Sequence, residues 1–252
     1  MDVARVVEIL EAYFPLSLQE EWDNSGLQIA PDESNVKAVL LTLDIGMSTI
    51  DEACKKGCNL IIAHHPLLFN PLSSLNSSVY PDNVIRSAIK HGIGIYAFHT
   101  NLDIAKDGLN DYLCRLLELN DVEPLQEYPP VRIGKLPRNM ELKEAVEWIK
   151  KKLSVSMVKY VKGNDRRIST VAVCSGSCSD MIYKLKEPFD LFLTGDLKHH
   201  TAVYAKNSGI NIVDATHFHT EKFAVDILKN ILLENGIKVV ISETDDIPWL
   251  YA

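Results

Sequence analysis

The sequence predicts an α/β fold made of two similar units with mostly parallel sheets. Three observations predict it. Short continuous apolar runs, such as Leu60–Ala63 and residues 171–174, read as strands buried on both faces. These runs alternate with stretches of helical period, the pattern of a parallel sheet covered by helices. The order strand, helix, strand, helix, strand also occurs twice. That repetition fits either an internal duplication or the general monotony of α/β chains.

Val3, Val6, Val7, Leu10, Tyr13 and Phe14 recur at i, i+3, i+4 and i+7, so the chain opens on an amphipathic helix that Pro15 ends. Residues 36–43 read as a strand, 48–56 as a helix stopped by Gly57, and 60–63 as a buried strand. Residues 81–91 form a helix stopped by Gly92, and 93–98 a strand. A middle stretch carries a helix at 141–153 and a strand at 157–161. The second series comes next: strand 169–174, helix 179–186, strand 191–193, helix 198–206 and strand 210–213. A helix at 217–234 and a strand at 239–242 close it. The expected boundaries are a first unit at 1–128, a basic middle segment at 129–168 and a second unit at 169–252. The C-terminal part of that second unit is a candidate to return and pack on the first.

Composition bounds the class. The chain has 252 residues, 46% hydrophobic and 24% charged, the proportions of a globular protein able to bury a large core. No apolar run approaches the ~18 residues needed to span a bilayer. The opening MDVARVVEILEAYF has acids inside its apolar stretch and no basic start, unlike a secretory signal. Five Cys, an odd number without framework spacing, suit a reducing compartment, so the expectation is a cytoplasmic protein that engages no membrane. Cys54 with Cys58, and Cys174 with Cys178, are four apart rather than three, and read as core thiols. The net charge of −8 argues against blanket polyanion binding. Residues 131–169 nonetheless hold 11 Lys/Arg against four Asp/Glu, a local +7 that leaves −15 elsewhere. This segment is either a solvated face or a nucleic-acid contact.

Seven of the eight His sit at or just after expected strand ends: His64, His65, His99, His199, His200, His217 and His219. The carboxyl ends of strands are where parallel sheets bind ligands. In LIIAHHPLLF the strand ends at the His pair and Pro66 forbids a helix behind it, so the backbone can turn. The two imidazoles can then reach two neighbouring points, as a pair of metal ions requires, or they form a hydrogen-bonded pair at a loop. In AFHTNLD, Asp103 offers a hard oxygen ligand or a helix cap. In DATHFHTEKF, His217 and Glu221 lie four apart on one helical face, while His219 lies off it. A carboxylate at Glu221 can bridge two cations. His64, His65, Asp103, His217 and Glu221 together are candidates for a dinuclear metal site on the carboxyl edge of one expected sheet. Five protein ligands leave positions open to water, which marks a catalytic rather than a structural site. LTGDLKHH adds Asp196, His199 and His200. With His99, these are candidates to support the metals or touch substrate, against plain turn and capping roles. The hydroxyl-rich turn CSGSCSD can face a phosphate or cap a helix.

EEWDNSGLQI, LLTLD, LIIAHHPLLF, AFHTNLD, LTGDLKHH and THFHTE, in this order over essentially the whole chain, resemble the NIF-three-like family, often labelled GTP cyclohydrolase I type 2 homologues. The resemblance implies interlinked α/β domains, a dinuclear metal centre and a toroidal homohexamer. Position by position, it implies the same five ligands, with Glu221 bridging. It does not fix the metals, for which Zn, Fe, Mn, Co and Ni all suit the donors. The function expected is a dinuclear-metal-dependent hydrolase acting on a nucleotide, a phosphoester or a related C–N bond. The alternatives are a nucleic-acid-binding ring and a non-catalytic metal-binding scaffold.

Overall fold

A computed structural model describes residues 1–76, 78–244 and 247–249. Helix α1 (Val3–Glu11) is capped by Asp2, whose carboxylate accepts from Ala4 N at 3.0 Å, and it buries Val6, Ile9 and Leu10. A 3-10 turn, Leu16–Leu18, comes after Pro15. Next are β1 (Gly26–Ile29), β2 (Val39–Thr42), α2 (Met47–Lys56), β3 (Leu60–Ala63), α3 (Asp82–Lys90), β4 (Gly94–Ala97) and α4 (Thr100–Ile104). The chain continues through α5 (Leu109–Leu116), β5 (Asn120–Pro124), β6 (Arg132–Met140), α6 (Leu142–Leu153), β7 (Lys159–Val161) and β8 (Ile168–Val173). It closes with β9 (Leu191–Thr194), α7 (His199–Asn207), β10 (Asn211–Asp214), α8 (His217–Glu221), α9 (Phe223–Glu234) and β11 (Val239–Ile241).

The chain divides into two compact units, Met1–Ala105 with the segment from Ala224 onward, and Lys106–Phe223. This division falls elsewhere than at 128 and 168. The basic stretch does not stand between units: β6, α6 and β7 all belong to the second. The C-terminal α9 and β11 belong to the first, because β11 pairs with β2.

The first unit's sheet has the order β1-β4-β3-β2-β11, parallel throughout except for β1. The second unit's sheet has the order β5-β6-β8-β9-β10-β7. Its centre, β8-β9-β10, is parallel, and β5, β6 and β7 add antiparallel edges. Neighbouring residues of these central strands enter different cores. Val171, Val173, Leu191, Leu193 and Val213 pack on one face, and Ala172, Phe192 and Ile212 on the other. That is the two-sided burial of a parallel sheet, and it accounts for the continuous apolar runs. No helix among the described residues is long and apolar enough to cross a membrane.

Four differences from the sequence reading have physical causes. The helix expected at 179–186 is a short 3-10 turn, Ser179–Tyr183. The helix expected at 217–234 breaks at Lys222 into α8 and α9. Strand β6 gave no sequence signal because Gly134, Pro137 and three cations interrupt its apolar positions; it is held by β5 on one side and β8 on the other. Cys174 and Cys178 form a disulfide rather than remaining thiols, because the turn between them brings their Cα atoms to 5.8 Å.

Glu52 on α2 ties down the end of β11. Its buried carboxylate accepts from Ser242 Oγ at 2.8 Å and Glu243 N at 3.0 Å, and pairs with Lys56 at 2.8 Å. Burial works to raise its pKa, but the Lys56 contact and the bonds from Glu243 and Ser242 outweigh it and hold the group at about 2, against an ordinary 4.5. A depressed folded-state pKa contributes stability that is fully present above about 4.5 and drains away as pH falls toward 2. Glu52→Gln should therefore cost about 1–2 kcal/mol at pH 7 and much less at pH 2.5. Urea midpoints at both pH values measure this. A loss of equal size at both would mean that Glu52 does not titrate as stated.

Candidate metal centre

In the first unit, Thr42, Ala63 and Ala97 form one row across the parallel strands β2, β3 and β4. The residues just beyond that row carry the chemistry. The ladder continues briefly: His64 N donates to Thr42 O (3.2 Å), His65 N to Leu43 O (3.0 Å) and Phe98 N to Ala63 O (2.9 Å). It delivers Asp44, the His64–His65 pair and His99 side by side. The rings of His64 and His65 have centroids 5.0 Å apart, and His99 lies 5.3 and 5.6 Å from them. One ligand atom from each of the three falls within 4.8 Å of the others. Asp103, buried in the first turn of α4, places Oδ1 3.8 Å from His64 Nε2.

Each of these rings is anchored through the same atom. His64, fully buried, donates Nδ1–H to the carbonyl of Phe98 (2.8 Å). His65 Nδ1 donates to Asp44 Oδ1 (2.9 Å) and His99 Nδ1 to Asp23 Oδ1 (2.7 Å). An imidazole that donates from Nδ1 presents Nε2 as an acceptor, which is the atom a cation binds. Asp23 has no exposed side-chain surface. Burial would raise its pKa, but the hydrogen bond from His99, with bonds from Thr100 and Ser25, overrules it and holds the group well below the carboxylate range. It is therefore an ionised acceptor that fixes the tautomer of His99.

In the second unit, β8, β9 and β10 are likewise parallel and in register. Beyond them come the Cys174–Cys178 turn, Gly195–Asp196 and Thr216, which caps α8 through its side chain. His217 donates Nδ1–H to Asp196 Oδ2 (2.7 Å), and its Nε2 lies 2.7 Å from Glu221 Oε2. The hydrogen bond from His217 holds the Asp196 carboxyl below its ordinary range despite partial burial. Glu221 is buried, and α8 sits where it does because two glycines make room. A Cβ on Gly176, at φ +60°, would stand 1.9 Å from Glu221 Oε1, and one on Gly195 2.7 Å from His217 N. Two backbone strains flank the site: Asp196 at φ +49° and Thr216 at φ +66°.

The structure thus gathers His64, His65 and Asp103 in one unit, and His217 with Glu221 in the other. These ligands stand at the edges of two sheets, not of one as the sequence suggested. His99 joins the first cluster itself, and Asp196 anchors His217. His199 and His200 are exposed at the start of α7, and among the described residues no hydrogen bond ties either to the cluster. His219 turns to Thr216 Oγ1 (2.8 Å), off the face shared by His217 and Glu221. The anchors Asp23 and Asp44 and the spacers Gly176 and Gly195 were missed. WDNS and LTLD carried the first two, but nothing in a sequence says which acid a distant imidazole will choose.

Residues 1–248 match the family described as Duf34/NIF3 (NGG1p interacting factor 3). The GTP cyclohydrolase 1 type 2 homolog of Clostridium acetobutylicum is 32% identical over 265 residues, spanning 100% of this chain and 99% of that protein. The crystal structure of SA1388 from Staphylococcus aureus has a TM-score of 0.89 at 28% identity, over 100% of this chain and 99% of that one. Reduced HcgD from Methanocaldococcus jannaschii has a TM-score of 0.86 at 32% identity, over 96% and 98%.

Gly176→Ala forces the carboxylate of Glu221 to move, whereas Gly209→Ala, at φ +72°, meets only Gly163 O at 3.9 Å. Both should lose about 1–2 kcal/mol to the left-handed backbone. Only Gly176→Ala should also weaken uptake of Zn or Mn, read by titration calorimetry on chelator-treated protein. Equal uptake in the two variants would show that Glu221 does not depend on this spacing.

Proposed function

The chain belongs to the Duf34/NIF3 family, and we propose that it is a metal-dependent hydrolase of nucleotides or related heterocyclic substrates. One observation carries the reading: His64, His65 and His99 all spend Nδ1–H on an acceptor of the scaffold and so turn Nε2 away from it, and His217, held in the same way, turns its Nε2 onto Glu221. Carbonyl or carboxylate acceptors behind imidazoles are what metal-binding histidines have in common. The ligands proposed are His64, His65 and Asp103 from the first unit and His217 and Glu221 from the second, holding two divalent ions per chain. The donors are nitrogen and carboxylate oxygen without thiolate, which suits Zn, Fe, Mn, Co or Ni. Such ions supply Lewis-acid polarisation of a carbonyl or phosphoryl oxygen and acidify water.

The chain's own groups then have separate tasks. Asp23 keeps His99 in one tautomer, and Asp196 does the same for His217. Glu221 brings buried negative charge, without which imidazoles alone hold dications weakly. Nucleotide substrates are supported by the names of the relatives, GTP cyclohydrolase 1 type 2 homolog. The resemblance read from the sequence extends the proposal to a homohexameric ring in the cytoplasm. The nucleic-acid alternative has less beneath it. Eight of the 11 cations in 131–169, from Arg132 to Arg167, already pair with acids of their own unit.

Glu221→Gln keeps the volume but removes the charge. It should bind about one ion per chain by elemental analysis and lose roughly 100-fold or more in turnover on a nucleotide panel. His219→Ala should keep both ions. Chelation should abolish turnover while melting stays cooperative, because the sheets beneath the ligands have apolar cores of their own. Glu221→Gln with two tightly held ions would refute the ligand set. Loss of an ion without detectable wild-type turnover on any substrate would favour the scaffold reading.

A further inference from the structure

Beside His99 the first unit opens a cleft of about 450 Å³, lined by Trp22, Asp23, Asn24, Leu68 and Phe69 among others. Trp22 and Phe69 are 59% and 47% exposed. They are not scattered. Their ring centroids are 5.9 Å apart, and both stand edge-on to His99, at 5.9 and 6.2 Å. The two loops that bear them are stitched together. Asn24 Nδ2 donates to Leu68 O (2.6 Å), Leu68 N to Gln28 Oε1 (2.9 Å) and Gln28 Nε2 back to Asn24 O (2.7 Å). The walls are therefore held open before any ligand arrives, which lowers the ordering cost of binding.

From this we infer that the cleft is the seat of a planar heteroaromatic ring, a purine-type base, stacked against Trp22 and Phe69 with its reacting edge toward His99. The inference rests on the hydrolase reading for its orientation, not for its binding. Exposed indole and phenyl faces gain most from a flat π-system, and amide groups such as Asn24 and Asn70 suit the mixed donors and acceptors on a base's edge. Among the described residues none of the lining side chains is cationic, so the inference concerns the ring and not the phosphates of a nucleotide. Trp22 is thus a specificity-determining residue for the ring, distinct from the groups that hold metal.

The test uses the full chain after chelation, so that metals and turnover do not enter. Guanosine is the probe and ribose 5-phosphate the non-aromatic control, with binding read by calorimetry. Guanosine should bind the wild type, Trp22→Ala should weaken it by roughly tenfold or more, and Trp22→Phe should retain most of it. Ribose 5-phosphate should not bind. Guanosine affinity unchanged in Trp22→Ala, or no binding at millimolar concentration, overturns the inference. Trp22-dependent guanosine binding in a protein that never shows turnover would uphold the cleft while removing the hydrolase reading, so the two fail separately.

Discussion

Everything at the candidate centre depends on the parallel register of three strands. With Thr42, Ala63 and Ala97 in one row, the residues immediately after them must emerge together at one edge. A slip of one residue in β3 would exchange His64 and His65 between faces and separate both from His99. Register is in turn enforced by burial, since every residue of β2, β3 and β4 is buried and no shifted pairing preserves that packing. The core is therefore what aims the imidazoles. The second unit obeys the same rule, with Val173 beside Leu193 and Thr194 beside Asp214.

Aiming is not enough, because an imidazole has two nitrogens and rotates. The scaffold removes that freedom by giving each ring an acceptor at Nδ1. Where such an acceptor is a buried carboxylate, as Asp23 is, it costs free energy unless it is fully hydrogen-bonded. Asp23 meets the requirement with bonds from His99, Thr100 and Ser25, so that a charge with no exposed side-chain surface is stabilised rather than neutralised. In the second unit the acceptor Asp196 is half exposed, and the features that set His217 and Glu221 in place are the positive-φ backbone at Asp196 and Thr216 and the two glycines that let α8 approach.

The candidacy of Glu221 was legible in the sequence, and so was much of the rest. Elements with an apolar period or a Gly stop, such as β3 and α2, were legible because burial and chain reversal leave marks in single residues. The ligands were legible because His is rare and stood after strand ends. Strand β6 was not legible: its register is imposed by two neighbours and not by its own alternation. The break at Lys222 was hidden because neither Gly nor Pro marks it in THFHTEKFAV. The disulfide was hidden because four-residue spacing is compatible with a helix, a strand or a tight turn, and only a turn closes it.

Whether the two halves are a duplication or merely two α/β units turns on the residues just past the third strand of each. After β4 come His99 and, four residues later, Asp103 on the short helix α4. After β10 come His217 and, four residues later, Glu221 on the short helix α8. Both imidazoles donate Nδ1–H to an aspartate, Asp23 in one and Asp196 in the other. Both third strands also carry an antiparallel edge strand, β1 and β7. The monotony of α/β folds predicts repeated strands and helices, but not a repeated imidazole, carboxylate and anchor. That shared placement makes His99 the positional counterpart of His217. The two units differ after the second strand, where one presents the His64–His65 pair and the other Gly195 and Asp196.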